Sequence, residues 1–223
     1  MTIDLYIIPP SPPCRSVLLL AKRIGLQLNP ITVDLLSGEH MKPEYLSLNP
    51  QHTVPTLVDH GTGLTLADSH AIMCYLVDKY APGNPLYPQD LLDRARVHNW
   101  LYFDCGILFP ACVGVNYPLI FLQKEPSAEA IEKLNEKMTV FDNMLAKSGA
   151  KFAIGDQMTI ADLALAVTLD ISIALSVLDV SKYKRVNDWY DRVKEEAEGY
   201  EEICTLVVKS FADKMGERPR GGQ

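Results

Sequence analysis

The stretch IDLYIIPPSPPCRSVLLLAKRIG, Ile3 to Gly25, places a short apolar run before a helical pattern, with a proline-rich loop between them. Ile3 to Ile8 is too short for a helix and rich in β-branched residues, so it predicts a strand. Val17 to Gly25 carries the helical period. Proline inside the helix start is compatible with this pattern, because its missing N–H would be unpaired there in any case. A strand leading into a helix in this way opens a β-α unit.

Working outward, Ile31 to Leu35 reads as a second strand, followed by a polar loop. Beyond Val54-Pro55, the runs Thr56 to Val58 and Leu64 to Leu66 flank His60-Gly61-Thr62-Gly63 and predict a hairpin, and Ser69 to Tyr80 predicts a helix. The order is β-α-β, then β-β-α. After the turn-rich Ala81 to Pro88 the pattern is helical throughout. The expected fold class is therefore α/β followed by all-α, with domains at residues 1–82 and 90–223 and a linker at 83–89.

In the helical part, Ile131, Leu134, Met138, Phe141 and Leu145 fall on one stripe, which core packing explains. Ile160 to Leu178 is strongly apolar but broken by Asp162, Thr168, Asp170, Ser172 and Ser176, so it predicts a buried helix and not a bilayer span. Thr159 and Asp162 predict a capping-box-like start, with Met158 and Leu163 as a hydrophobic staple. Both polar residues are expected to serve folding. The closing GERPRGGQ is expected to fray.

Composition excludes several classes. The 223 residues are 48% hydrophobic and 22% charged, as in a soluble globular protein, and long enough for one large domain or two. The net charge of −7 comes without a basic block, so neither a nucleic acid nor a membrane is an expected partner. Five cysteines without a paired motif give no disulfide framework or zinc site, and no metal is expected. The start lacks the basic and uninterrupted apolar regions of a signal peptide, and a cytoplasmic location is expected.

Ser11-Pro12-Pro13-Cys14 stands at a helix N-terminus, where backbone N–H groups and the helix dipole favour an anion. On local grounds Ser11 could simply cap the helix. The set SPPCR (Ser11 to Arg15), LNPQHTVPTL (Leu48 to Leu57), DSHAI (Asp68 to Ile72), Tyr87-Pro88 and MTIADL (Met158 to Leu163) adds to this. As an ordered set along the whole chain it resembles the cytosolic glutathione transferases of the insect delta and epsilon classes. DSHAI and LLSGEH (Leu35 to His40) look closer to epsilon.

The resemblance implies a thioredoxin-like N-terminal domain, a C-terminal helical bundle and a homodimer. It implies glutathione as cosubstrate and a small apolar electrophile as acceptor, in conjugation, dehydrohalogenation or peroxide reduction serving detoxification. Ser11 would donate its hydroxyl to the glutathione sulfur and favour the thiolate. Val54, ahead of a cis Pro55, would pair its backbone with the cysteinyl unit. Asp68 and Ser69 would hold the γ-glutamyl end with His70 nearby, and His40 and His52 would lie near the glycine carboxylate. His60 and His98 fall outside these motifs.

The acceptor pocket is expected on the first long helix of the second domain, lined by Phe109, Val113, Tyr117 and Phe121, with Pro110 and Pro118 bending or interrupting that helix. Relatives often carry arginine near positions 111 to 113. Here Ala111, Cys112 and Val113 predict a more apolar pocket. Two other functions fit parts of the sequence: thiol-disulfide exchange through Cys14, and non-enzymatic carriage of apolar ligands.

Overall fold

A computed structural model describes residues 2–216, so the expectation for the GERPRGGQ tail falls outside the described residues from 217 onward. The N-terminal part contains β1 (Ile3–Ile7), α1 (Pro12–Arg23), β2 (Asn29–Thr32), α2 (Pro43–Leu48), β3 (Thr56–Asp59), β4 (Leu64–Ala67) and α3 (Ser69–Tyr80). The sheet order is β2-β1-β3-β4, with β1 and β2 parallel and β3 antiparallel to both β1 and β4. Alternate residues Ile3, Leu5 and Ile7 are buried, as expected for a strand with one face on the core. They join a cluster with Val17, Leu20, Leu57, Ile72 and Leu76 from the strands and helices around them. This is the thioredoxin-like arrangement.

Two local expectations are corrected. The second strand is Asn29–Thr32, not Ile31 to Leu35. Val33 still donates to the Ile7 carbonyl at 2.8 Å, but the Asp34 carboxylate then accepts from Leu36 and Ser37 N–H groups and turns the chain out of the ladder. The loop before Val54 holds the short helix α2, of which only Tyr45 is buried, too little for a visible apolar period. The first helix begins at Pro12, ahead of the periodic stretch.

The second part is helical: α4 (Leu91–Phe103), α5 (Phe109–Tyr117), α6 (Ala128–Ser148), α7 (Ile160–Ala174), α8 (Lys184–Glu196) and α9 (Leu206–Gly216). α4 and α5 are successive parts of one 32-residue helical run, Leu91–Leu122. Its length and composition would allow a bilayer span, yet Val97, Trp100, Leu101, Leu108 and Val115 pack into the protein core. Pro110 and Pro118 do not break this run. Each falls at a change of helical period, with π-type turns at Asp104–Leu108 and Pro118–Leu122. Of the α6 stripe, Leu134, Met138, Phe141 and Leu145 are buried, whereas Ile131, on the first turn, is 37% exposed.

α7 is buried along most of its length and packs on both α1 and α5, so the two parts share one continuous core. Its start is as expected. The Asp162 carboxylate accepts from the Thr159 N–H at 2.8 Å, and Met158 and Leu163 are both buried.

β3 is tied to α3 by Asp59, whose carboxylate accepts from Tyr75 at 2.5 Å, from Tyr80 and from the Gly61 N–H at 2.8 Å. Burial alone would raise its pKa, but these hydrogen bonds outweigh burial and hold it at about 2. Since an unfolded aspartate titrates near 3.9, the stabilisation is present above that value and lost as pH falls towards about 2. The Tyr75→Phe/Tyr80→Phe double variant is expected to flatten the acid limb of the stability curve, measured by urea unfolding from neutral pH downwards.

Candidate active site

A cleft of about 610 Å³ lies between the sheet domain and the helical domain. It is lined by all twelve residues expected at the site: Ser11, His40, His52, Val54, Pro55, Asp68, Ser69, His70, Phe109, Val113, Tyr117 and Phe121. Segments after β1, β2, α2 and β4 supply Ser11, His40, His52 and Asp68, and α5 with the turn that follows it supplies Phe109, Val113, Tyr117 and Phe121.

Ser11 precedes α1 in extended conformation, yet its side chain makes no capping hydrogen bond. Pro13 removes the N–H at the second helical position, one of the two that a serine cap usually meets, and the Ser11 side chain bonds the Cys14 thiol instead. Ser11 stands at the helix N-terminus and lines the cleft. Cys14, one turn on, is fully buried. Burial pushes its thiol up to about 11, against smaller opposing effects of Ser11, the Ile8 backbone and Arg15. At neutral pH it therefore stays protonated, which is the opposite of what an attacking cysteine needs.

His40 follows Gly38, whose φ of +77° turns the chain into the short helical turn Glu39–Met41. Its Nδ1 is buried with no hydrogen-bond partner among the described residues, and its ring lies 6.1 Å from that of His52. His52 is itself held at φ +48°, a rare conformation for a non-glycine residue. His40 thus offers an unmet ring nitrogen beside a second imidazole, an arrangement suited to an incoming carboxylate. The Val54-Pro55 peptide is cis.

Asp68 caps α3 by accepting from the His70 and Ala71 N–H groups, both at 3.0 Å, so the capping reading of this residue is correct as far as it goes. Its φ of +75° is strained for an aspartate, and such strain concentrates at functional sites. The His70 imidazole pairs with Asp104 at 2.9 Å. Burial works against its protonation, but the hydrogen bond and charge of Asp104, aided by Asp68, raise its pKa. The second Asp104 oxygen is buried and unpartnered among the described residues. Asp68 and Asp104 thus give the cleft two carboxylates suited to a ligand ammonium.

Asp104 was not anticipated from the sequence. The available signal was an acid in the apolar run Trp100 to Phe109, at a position that faces inward. On the apolar side, Phe109, Val113, Tyr117 and Phe121 recur every four residues along one face, and the last two rings are 5.0 Å apart. Asn116, Thr168 and Phe211 also line the cleft and were likewise not anticipated. Asn116 is anchored by donating to the Ser172 hydroxyl at 3.0 Å, so the pocket has an apolar wall with a polar element beside it. Of residues 111 to 113, Ala111 and Cys112 are buried and Val113 is partly exposed. His60 and His98 are absent from the cleft lining: His60 bonds Asp4 at 2.8 Å, and His98 bonds Tyr87 at 2.7 Å.

A thioredoxin-like sheet domain and a helical domain thus enclose a cleft that offers hydroxyl, imidazole and carboxylate groups on one side and an apolar wall on the other. Family models for the glutathione S-transferase N-terminal and C-terminal domains match residues 10–79 and 118–198. A delta-class glutathione transferase of Nilaparvata lugens is 41% identical, covering 96% of this chain and 98% of that one with a TM-score of 0.88. An epsilon-class glutathione S-transferase of the housefly, Musca domestica, is 35% identical over 96% and 97%, with a TM-score of 0.86. A Drosophila mojavensis glutathione transferase homolog, solved with bound glutathione, is 34% identical over 98% of each chain, with a TM-score of 0.87. The chain belongs to the glutathione S-transferase family, which uses glutathione as cosubstrate.

Proposed function

We propose that this protein is a serine-type glutathione transferase acting on small apolar electrophiles. The observation that supports the reading is Ser11 at the N-terminus of α1, lining the cleft with a hydroxyl that makes no capping hydrogen bond to the helix backbone. It donates to the glutathione sulfur and, with the helix N-terminus, favours thiolate over thiol. His40 and His52 receive the glycine carboxylate, the Val54 backbone pairs with the cysteinyl unit, and Asp68, Ser69 and Asp104 receive the γ-glutamyl end, with His70 holding Asp104. With a chloronitrobenzene acceptor, the thiolate forms the C–S bond and chloride leaves with the pair of the broken C–Cl bond. Phe109, Val113, Tyr117 and Phe121 hold the aromatic body of such an acceptor.

Within the insect group, DSHAI and LLSGEH support the epsilon subdivision, and detoxification by conjugation or dehydrohalogenation is the role proposed. A cytoplasmic homodimer with one site per subunit completes the reading. The dimer is supported by Leu91, Leu92 and Tyr102, large apolar side chains that the long helix leaves exposed.

The test is glutathione conjugation to a chloronitrobenzene by the purified wild-type protein. Saturable turnover supports the transferase; glutathione binding without turnover would move the protein to the carrier reading. Cys14→Ala is expected to keep the pH dependence of turnover, and native Cys14 to resist iodoacetamide at neutral pH, because burial pushes its thiol up to about 11. Activity that depends on Cys14 would instead indicate thiol exchange.

A further inference from the structure

Arg15 lies on the first turns of α1, four residues after Ser11, and is fully buried. Its guanidinium has three partners. One terminal nitrogen donates to Asp170 at 2.5 Å, the other to the Val167 carbonyl at 3.4 Å, and Nε donates to the Pro10 carbonyl at 3.3 Å. The other oxygen of Asp170 accepts from Tyr190 at 2.7 Å and from Tyr200 at 2.6 Å. One buried polar cluster therefore connects the peptide just before Ser11 to α7, to α8 and to the chain ahead of α9. Cys204 adds an uncharged thiol beside it, pushed up to about 12 by burial.

The position of the Pro10 carbonyl matters because little else in this loop is free. Pro9, Pro10, Pro12 and Pro13 fix their own φ angles, and Pro12 also restrains Ser11 to extended backbone, where it is found. The soft element is the peptide plane between Pro10 and Ser11. Its N–H side is held by the Ser11 N–H donating to the Ile8 carbonyl at 3.0 Å, and its carbonyl side by Arg15. A buried ion pair is an expensive way to gain stability alone, and its best-attested use is to specify geometry. The planar fork of arginine suits this, since it can hold several acceptors in fixed directions at once.

We propose that Arg15 is a positioning residue for the Ser11 hydroxyl: anchored by Asp170, Tyr190 and Tyr200, it fixes the Pro10–Ser11 peptide and thereby the direction from which that hydroxyl meets the glutathione sulfur. The inference rests on the serine reading of the site. It extends the catalytic apparatus to two tyrosines in the helical domain that are absent from the cleft lining.

The test compares Arg15→Lys, Tyr200→Phe and Ser11→Ala for three properties: the pKa of the glutathione thiol in the binary complex, read from thiolate ultraviolet absorbance; glutathione KM and kcat; and thermal unfolding. Arg15→Lys keeps a charge for Asp170 but cannot reproduce the fork to Pro10. It is expected to raise the thiol pKa by about one unit and lower kcat about tenfold at neutral pH, with glutathione KM within about twofold. Tyr200→Phe leaves the ion pair in place and is expected to shift the thiol pKa in the same direction by about half a unit, so the inference stays testable if Arg15→Lys does not fold. A wild-type thiol pKa in folded Arg15→Lys, or in Tyr200→Phe if the lysine variant does not fold, would overturn the positioning role if Ser11→Ala does raise that pKa. An unshifted pKa in Ser11→Ala itself would overturn the serine reading, and the inference with it.

Discussion

Ser11→Ala is expected to lower kcat/KM for conjugation of glutathione to a chloronitrobenzene by about 10- to 150-fold, the equivalent of about 1.5–3 kcal/mol for a hydrogen bond to a charged group. The loss should fall mainly on kcat. His40, His52, Val54, Asp68 and Ser69 remain to bind the tripeptide backbone and ends, so glutathione KM should change little. Stability should also change little, because the Ser11 hydroxyl makes no capping hydrogen bond. A capping serine would behave differently: its replacement by alanine would cost about 0.5–2 kcal/mol of stability and leave the chemistry intact. Steady-state kinetics and urea unfolding on the same preparation separate these roles.

Asp162→Ala is expected to be the most destabilising of the substitutions considered. The carboxylate is fully buried, and four donors converge on it: the Ala153 N–H, the Trp189 indole and the Thr159 N–H at 2.8 Å, and the Thr159 hydroxyl at 2.9 Å. One residue thus joins the start of α7 to α8 and to the loop before it. Burial pushes its pKa up, in opposition to the donors that favour its charged form. Alanine would strand all four donors in the core, at a cost of about 3–5 kcal/mol, and Asn, which keeps one acceptor oxygen, should cost less. The order wild type, Asp162→Asn, Asp162→Ala in urea midpoint checks this. Equal midpoints would mean that water or neighbouring groups satisfy the donors.

The parts of the fold and site readable in the sequence are those that announce themselves through local backbone chemistry. Ser-Pro-Pro marks a helix start with few donors to cap, Val54-Pro55 marks a turn into a strand, and Asp68-Ser69 marks a helix N-terminus; all three reach the cleft. The four-residue spacing of Phe109, Val113, Tyr117 and Phe121 was readable because a helix converts it directly into a face. Asp104, Asn116, Thr168 and Phe211 carry no such local signature. They reach the cleft only because the π-type turn after α4 converges there with α5, α7 and α9, which is a tertiary outcome. The same holds for Ile131, whose apolar spacing says nothing about whether another element covers the first turn of α6. At β2 a local signal was present, in the polar turn around Asp34, but an apolar run extending to Leu35 obscured it.

The central claim is that the Ser11 hydroxyl stabilises the glutathione thiolate, and the most direct measurement is a pH titration of the binary complex without acceptor, following thiolate absorbance in wild type and Ser11→Ala. The account predicts a bound-thiol pKa below the roughly 8.5 of a free cysteine in wild type, and a return towards that value in the variant. Superimposable titrations of two glutathione-bound proteins would contradict it.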